Sequence, residues 1–218
     1  MQAIVDDLFQ DALIAQRGLL DANSEGPGDQ EMIDLLRTPA DDAQSAGKLK
    51  RWLAKYKVLR GINEDKRTAI AHELLRAAQR LRQQNAPVSL GDINAISGAY
   101  RVLHNAAHSA LRDRKFESGA SKALWLLYPD AVPMLDKNVE ITLRTLSWTM
   151  PGQPTQVRGT EDRYEIFLHH WFFYHVQSAP YLARCMNAIN AQDRYSYEVR
   201  IFDKILWYIG CGKYRCQS

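Results

Sequence analysis

Cysteine is scarce in this chain: Cys185, Cys211 and Cys216 are the three in 218 residues. They form no CxxC pair and no four-cysteine set, which excludes a disulfide framework and an iron–sulfur cluster. Long apolar runs are also missing, and none approaches the roughly 18 to 20 residues that span a bilayer. The N-terminal MQAIVDDLFQ carries acids where a secretory leader carries basic residues, so a reduced, cytoplasmic setting is expected. GxxxxGK[ST], GxGxxG and GxSxG are absent, which argues against nucleotide hydrolysis, Rossmann cofactors and a nucleophile elbow. No period-2 run is long enough to insist on a strand, and no internal repeat is visible. No metal or cofactor is expected.

What remains is an ordinary globular composition, 46% hydrophobic, 24% charged and 10% aromatic. That balance excludes collagen-like, coiled-coil and wholly disordered chains. The net charge of +3 conceals two opposed blocks. Residues 1–47 hold ten acids against Arg17 and Arg37, a net of −8. Residues 48–82 hold eleven Lys or Arg against Glu64, Asp65 and Glu73, a net of +8. Such blocks either pair with one another and face solvent, or the basic one follows a phosphate backbone. In the second case Lys55, Arg76 and Arg80 are candidate phosphate contacts.

Helical periodicity runs nearly throughout. Ile4, Val5, Leu8, Phe9, Ala12 and Leu13 form an apolar stripe, and NSEGPGDQ at 23–30 interrupts the chain. Helices are expected over 30–37, from Thr38-Pro39, and over 41–60 with Gly61 as a stop. Residues 64–84 follow, with Ile70, Leu74, Leu75, Ala78 and Leu81 on one face. A helix over 90–112 has Ser89 or Asp92 as cap. Shorter stretches follow at 120–128 and from Asp136 to about 148, then the loop 150–160, and finally 161–177, 180–191 and 195–209. The expected fold is an all-α single domain of about nine to ten helices. Two lobes are expected within it, an acidic-then-basic one over 1–112 and an aromatic one over 113–218.

Histidines come in suggestive spacings. His104 and His108 lie four apart on one helix, but the zinc-protease glutamate is missing. Arg101 precedes His108 by seven residues, and Arg163 precedes His169 and His170 by six and seven. An arginine and a histidine so spaced on one helix resemble the catalytic pair of the HEPN ribonucleases, which are also all-α. That family prefers a polar residue after the arginine, where this chain has Val102 or Tyr164.

The segment ESGASKALWLLYPDAVPMLDKNVE at 117–140 concentrates chemistry. Ser118, Gly119 and Ser121 open a short helix whose free N–H groups suit a DNA phosphate. Lys122 falls in the first turn, where the dipole disfavours its charge, and burial there would further favour the neutral, nucleophilic amine. Pro129 and Pro133 stiffen a turn leading to Asp136 at the next helix start, a good N-cap or a carboxylate facing the same cleft as Lys122.

This pattern resembles the helix-hairpin-helix DNA glycosylases, specifically small bacterial proteins similar to 8-oxoguanine glycosylase. In that superfamily a lysine sits at the hairpin's second helix, and an aspartate follows at the start of the next helix after a Val-Pro-like approach. AVPMLDKNV matches that approach, and RIFDKILWYIG resembles the closing helix of the small relatives. The resemblance covers roughly 117–210. It departs in the hairpin, where Ser118-Gly119-Ala120-Ser121 carries one glycine, and in the Lys-to-Asp separation of 14 residues. It implies an enzyme that flips a damaged or modified base out of duplex DNA and cleaves its glycosidic bond. Asp136 would stabilise the developing oxocarbenium charge and activate water, and a neutral Lys122 would add Schiff-base strand cleavage. Trp125, Tyr164, His169, His170 and Trp171 would line the base pocket, and the role would be repair or defence against modified phage DNA. The alternatives are a non-enzymatic all-α nucleic-acid-binding module and a HEPN-like ribonuclease.

Overall fold

The computed structural model describes residues 27–38, 40–84, 88–111, 115–149, 162–190 and 197–211. All regular structure among these residues is helical. In chain order the helices are α1 (Asp29–Arg37), α2 (Ala43–Lys55), α3 (Glu64–Gln83), α4 (Ile93–Leu111), α5 (Glu117–Leu127), α6 (Lys137–Thr149), α7 (Arg163–Asn190) and α8 (Glu198–Gly210). The stripe at Ile4–Leu13 and the loop at 150–160 lie outside the described residues.

Two compact units divide at Met134/Leu135, not at the 112/113 boundary that the lobes suggested. The reason is α5. Nine of its residues are buried, Gly119 through Leu127, and it packs against α4 and α1. A helix apolar on nearly every side must be enclosed by its neighbours, so α5 belongs to the N-terminal unit.

In that unit, side-chain oxygens start the helices. Asp42 Oδ1 accepts from Ser45 N (2.7 Å), Asn63 Oδ1 from Lys66 N (2.9 Å) and Asp92 Oδ1 from Ala95 N (3.0 Å). Each satisfies a backbone donor that the helix leaves open. The first of these moves the second helix start to Ala43, past Thr38-Pro39. At the end of α2, Lys57 takes a left-handed φ of 59°. There Lys57 N donates to Ala54 O and Val58 N to Leu53 O, a Schellman closure that ends the helix short of Gly61. The stripe Ile70, Leu74, Leu75, Ala78 and Leu81 of α3 is buried, and α3 packs along α4.

The C-terminal unit joins α6, α7 and α8. Thr142 Oγ1 donates to Leu206 O at 2.6 Å. A Cβ on Gly210 would stand 1.9 Å from Asn138 O, so only glycine lets α6 and α8 approach this closely. The stretches expected at 161–177 and 180–191 are one helix, α7, with Pro180 inside it. Proline costs the hydrogen bond to the carbonyl four residues back. That residue is Val176, 67% exposed, on a water-facing stretch where solvent can satisfy a carbonyl left without that bond.

Candidate functional site

Helix α5 begins at Glu117, three residues before its expected start, and this changes the setting of its polar residues. Lys122 falls in the second turn, beyond the reach of the helix-start dipole. Its side chain is nonetheless buried, at 2% exposure, and Nζ donates to Ser118 Oγ at 2.8 Å. Ser121 is fully buried, and its hydroxyl donates to Ser118 O at 3.0 Å. Gly119 lies against Phe116, where a Cβ would come within 2.0 Å of the ring. Of the three residues expected to meet a phosphate at this helix start, Ser118 alone is partly accessible.

The segment after α5 is tightly held. Ala131 N and Val132 N both donate to Tyr128 O at 3.1 Å, and Pro129 and Pro133 are buried. Arg82 closes the end of α5: Nη2 donates to Leu127 O at 3.0 Å, and the guanidinium stands 5.6 Å over the Tyr128 ring. Burial raises the Tyr128 pKa, and Arg82 opposes the shift. The chain then enters α6 at Asp136, which is half-buried. Its Oδ1 accepts from Asn138 N at 3.0 Å, a helix-start contact. Lys122 and Asp136 therefore belong to different compact units.

The basic block divides in its roles. Arg76 binds Asp41 at 2.7 Å and Glu73 at 2.6 Å. Asp41 also meets His72 Nδ1 at 2.5 Å, and these two partners, with His72 the larger influence, lower its carboxyl pKa. Lys48 pairs with Glu31 at 2.9 Å, and Lys50 pairs with Glu64. Acids of the first block (Glu31, Asp41) thus neutralise part of the second, as local pairing would have it. Lys55 and Arg80 make no ion pair among the described residues.

Of the aromatic candidates for a base pocket, Trp125, Tyr164 and Trp171 are at most 1% exposed and sit in the cores. Trp171 Nε1 donates to the buried Asp203 Oδ1 at 2.8 Å, and its indole stacks on His175 at 4.7 Å. His175 Nε2 lies 2.9 Å from Glu198 Oε1. Burial lowers the His175 pKa, against the pull of Glu198. His169 and His170 are half-buried. Burial, reinforced by the charge of His169, lowers the His170 pKa as well.

His170 lines a cleft of about 250 Å³ between α6 and α7, together with Glu140, Leu143 and Arg144 from α6 and Arg163, Ile166 and Phe167 from α7. Arg163 grips Glu140 at two points, Nε to Oε1 at 2.9 Å and Nη2 to Oε2. Arg163 and His170, one of the arginine–histidine pairs, thus share a wall, with the arginine already engaged. Most of this lining went unread in the sequence. Its signal is two facing stripes, 140/143/144 and 163/166/167/170, each at helical spacing. No group of three or more metal-ligating side chains occurs among the described residues.

No family model, curated protein or solved structure matches this chain.

Proposed function

We propose that this protein is a DNA glycosylase that excises a damaged or modified base, with Asp136 as the catalytic carboxylate and Lys122 as the amine. The observation that carries the reading is the burial of Lys122. An amine on a side chain only 2% exposed forfeits solvation that packing alone would not require, and such groups concentrate at functional sites. The stiff, doubly proline-bounded approach to Asp136 and the likeness of 117–210 to the helix-hairpin-helix glycosylases support the same reading.

In this scheme the C1′–N bond breaks and its electron pair leaves with the base, whose nitrogen takes a proton. The positive charge left on the sugar is stabilised by the Asp136 carboxylate, which also accepts a proton from the water that adds to C1′. In the lyase branch the Lys122 amine forms the C1′–N bond instead. The sugar ring opens to an iminium, and β-elimination follows: the C2′ proton passes to water, its electron pair forms the C2′–C3′ double bond, and the 3′ phosphate leaves. Lys55 and Arg80 serve the strand backbone, whereas Arg76 belongs to its ion-pair network.

The test is base release from undamaged DNA and from DNA carrying 8-oxoguanine, uracil, alkylated bases or phage-type modified bases. Abasic sites on one substrate, lost in Asp136→Asn, are expected, with a borohydride-trapped adduct lost in Lys122→Ala if the lyase branch operates. No release from any of these DNAs would sink the enzyme reading. The hydrogen bond from Asn138 N to Asp136 favours the second reading, a binding module in which Asp136 is only a helix start. There Asp136→Asn changes nothing, since Asn caps as well as Asp.

A further inference from the structure

The first two turns of α5 bring a serine and a lysine into contact. Ser118 and Lys122 are four residues apart, which places them on one face of the helix. Helical side chains lean toward the N-terminus, so the Lys122 stem runs back along the first turn, and Nζ stands 2.8 Å from Ser118 Oγ. We infer that Ser118 and Lys122 form a nucleophile–base dyad, in which Ser118 Oγ attacks the carbonyl of a short-chain carboxylic ester and Lys122 Nζ takes its proton. The inference goes beyond the glycosylase reading: it uses neither DNA nor Asp136, and shares with it only the Lys122 amine.

The two groups are exposed in the order the chemistry needs. Lys122 is buried and Ser118 is partly accessible, so a substrate meets the hydroxyl first and the amine behind it. Burial disfavours the charged form of an amine. A neutral amine carries one lone pair and two N–H groups, so it can accept the Ser118 proton and still donate to its other partners. The separation of 2.8 Å falls within the roughly 2.6 to 3.2 Å reach of a general base. The Ser121 hydroxyl donates to Ser118 O at 3.0 Å and ties the serine backbone to the next turn, so the nucleophile stands on a rigid element.

The helix start supplies a place for the oxyanion. Ala120 N, donating to Phe116 O at 2.9 Å, opens the hydrogen-bond ladder of α5, so Gly119 N–H lies ahead of that ladder and directly follows the nucleophile. Phe116, the N-cap, has no side-chain oxygen to close this start, whereas Asp42, Asn63 and Asp92 close three others in the same unit. An N–H beside the nucleophile and the positive end of the helix dipole both favour a developing negative charge. In the first half-reaction the Oγ proton passes to Nζ, the Oγ–C bond forms, and the carbonyl π pair moves to its oxygen. The oxyanion then collapses, the ester C–O bond breaks, and the alcohol leaves with the proton held on Nζ. Water repeats these steps on the acyl-serine: its proton goes to Nζ, its oxygen bonds to the carbonyl carbon, and the Oγ–C bond breaks as Oγ regains the proton. Access limits the acyl group. Phe116, Gly119, Ser121 and Lys122 are all buried, and even a methyl at Gly119 would strike the Phe116 ring, so acetyl suits this site where a long acyl chain does not.

The experiment treats the full chain with p-nitrophenyl acetate and p-nitrophenyl octanoate, and separately with a fluorophosphonate, whose phosphorus takes the serine oxygen as fluoride leaves. Peptide mapping by mass spectrometry locates the adduct. Ser118 is expected to be the one serine modified, with ester turnover lost in Ser118→Ala and at least about 100-fold slower in Lys122→Met. Acetate should turn over about ten-fold faster than octanoate. Circular dichroism checks the helical fold of each variant. Should Lys122→Met unfold, the mapping in the native chain and Ser118→Ala decide, because a lysine that only donates leaves Ser118 no more reactive than the other serines. No adduct, an adduct spread over several serines, turnover retained in Ser118→Ala, a folded Lys122→Met that reacts at the native rate, or octanoate at least as fast as acetate would each overturn the proposal. Base release without acylation of Ser118 would remove this inference and spare the glycosylase. Ester turnover through Ser118 without base release would do the reverse.

Discussion

The two compact units handle charge in opposite ways. The N-terminal unit keeps most of it outside: Glu31, Asp41 and Glu64 meet Lys48, Arg76 and Lys50 across helix surfaces, over a core of leucine, isoleucine and alanine around the buried Trp52 and Trp125. Its exception is Lys122. The C-terminal unit keeps polar groups within its aromatic core, where Asp203 accepts from Trp171 and His175 stacks on that same indole beside Glu198. Surface pairs contribute little and are screened by salt, whereas a buried polar contact costs heavily once one partner is removed. The C-terminal unit should therefore be more sensitive to single substitutions and to mild acid.

The largest expected effect tests close approach in each unit. Gly210→Ala drives a methyl into the backbone carbonyl of Asn138, and Gly119→Ala drives one into the Phe116 side chain. Backbone cannot swing aside as a ring can. Gly210→Ala should cost about 3 kcal/mol, at the upper end of overpacking, and Gly119→Ala less. Urea melts of the two variants check the order, and equal losses would dissolve the contrast. Close behind stands Asp203→Ala, which strips the buried Trp171 N–H of its acceptor at a cost of roughly 2 to 3 kcal/mol. Lys122→Met is the counter-case. It removes a buried amine at similar volume and leaves the partly accessible Ser118 hydroxyl to water, so stability should fall by no more than about 1 kcal/mol, while base release should fall if the proposed chemistry is right. A large stability loss in Lys122→Met would recast the lysine as a structural donor to Ser118.

Acid should separate the units. The pKa values of His175 and His170 are lowered in the fold, so between those values and the ordinary histidine value near 6.5 the unfolded chain binds more protons. Stability contributed by keeping these rings neutral is complete above that range and declines as pH falls through it. In the N-terminal unit the lowered group is Asp41. Its contribution is present above the usual carboxylate value and is lost only as pH falls through the lower folded value. Tryptophan resonances of Trp171 and Trp52, followed by NMR from pH 7 to 3, should report loss at Trp171 first. A simultaneous loss, or Trp52 first, would overturn the ordering.

Much of the helical layout was legible because period and caps carry it. Asp92 and the stripe of α3 each behave as local chemistry dictates. The misread boundaries have physical causes. Proline at 180 reads as a breaker, yet a solvent-facing carbonyl partner lets the helix continue. The Ser118-Gly119-Ala120-Ser121 run reads as a helix opening, yet Gly119 is there for Phe116, and the helix has already begun. The division at Met134 depends on tertiary burial of α5, which no linker composition announces. For the candidate site, the residue types were visible but their settings were not. Burial of Lys122, the Asp41 claim on Arg76 and the Glu140 grip on Arg163 all depend on pairings across helices. Local sequence does not encode these.

The smallest effect bears on the surface side of the comparison. Lys48 is about one-third exposed and Glu31 about half, so their pair is worth at most about 0.5 kcal/mol, and less in salt. Lys48→Met should therefore leave the urea midpoint nearly unchanged, and raising salt from low to physiological levels should erase whatever difference remains. If the loss instead approached that of Asp203→Ala and resisted salt, the pair would be holding α1 against α2 as part of a buried network. The contrast between charge kept outside and polarity kept inside would then no longer hold for the N-terminal unit.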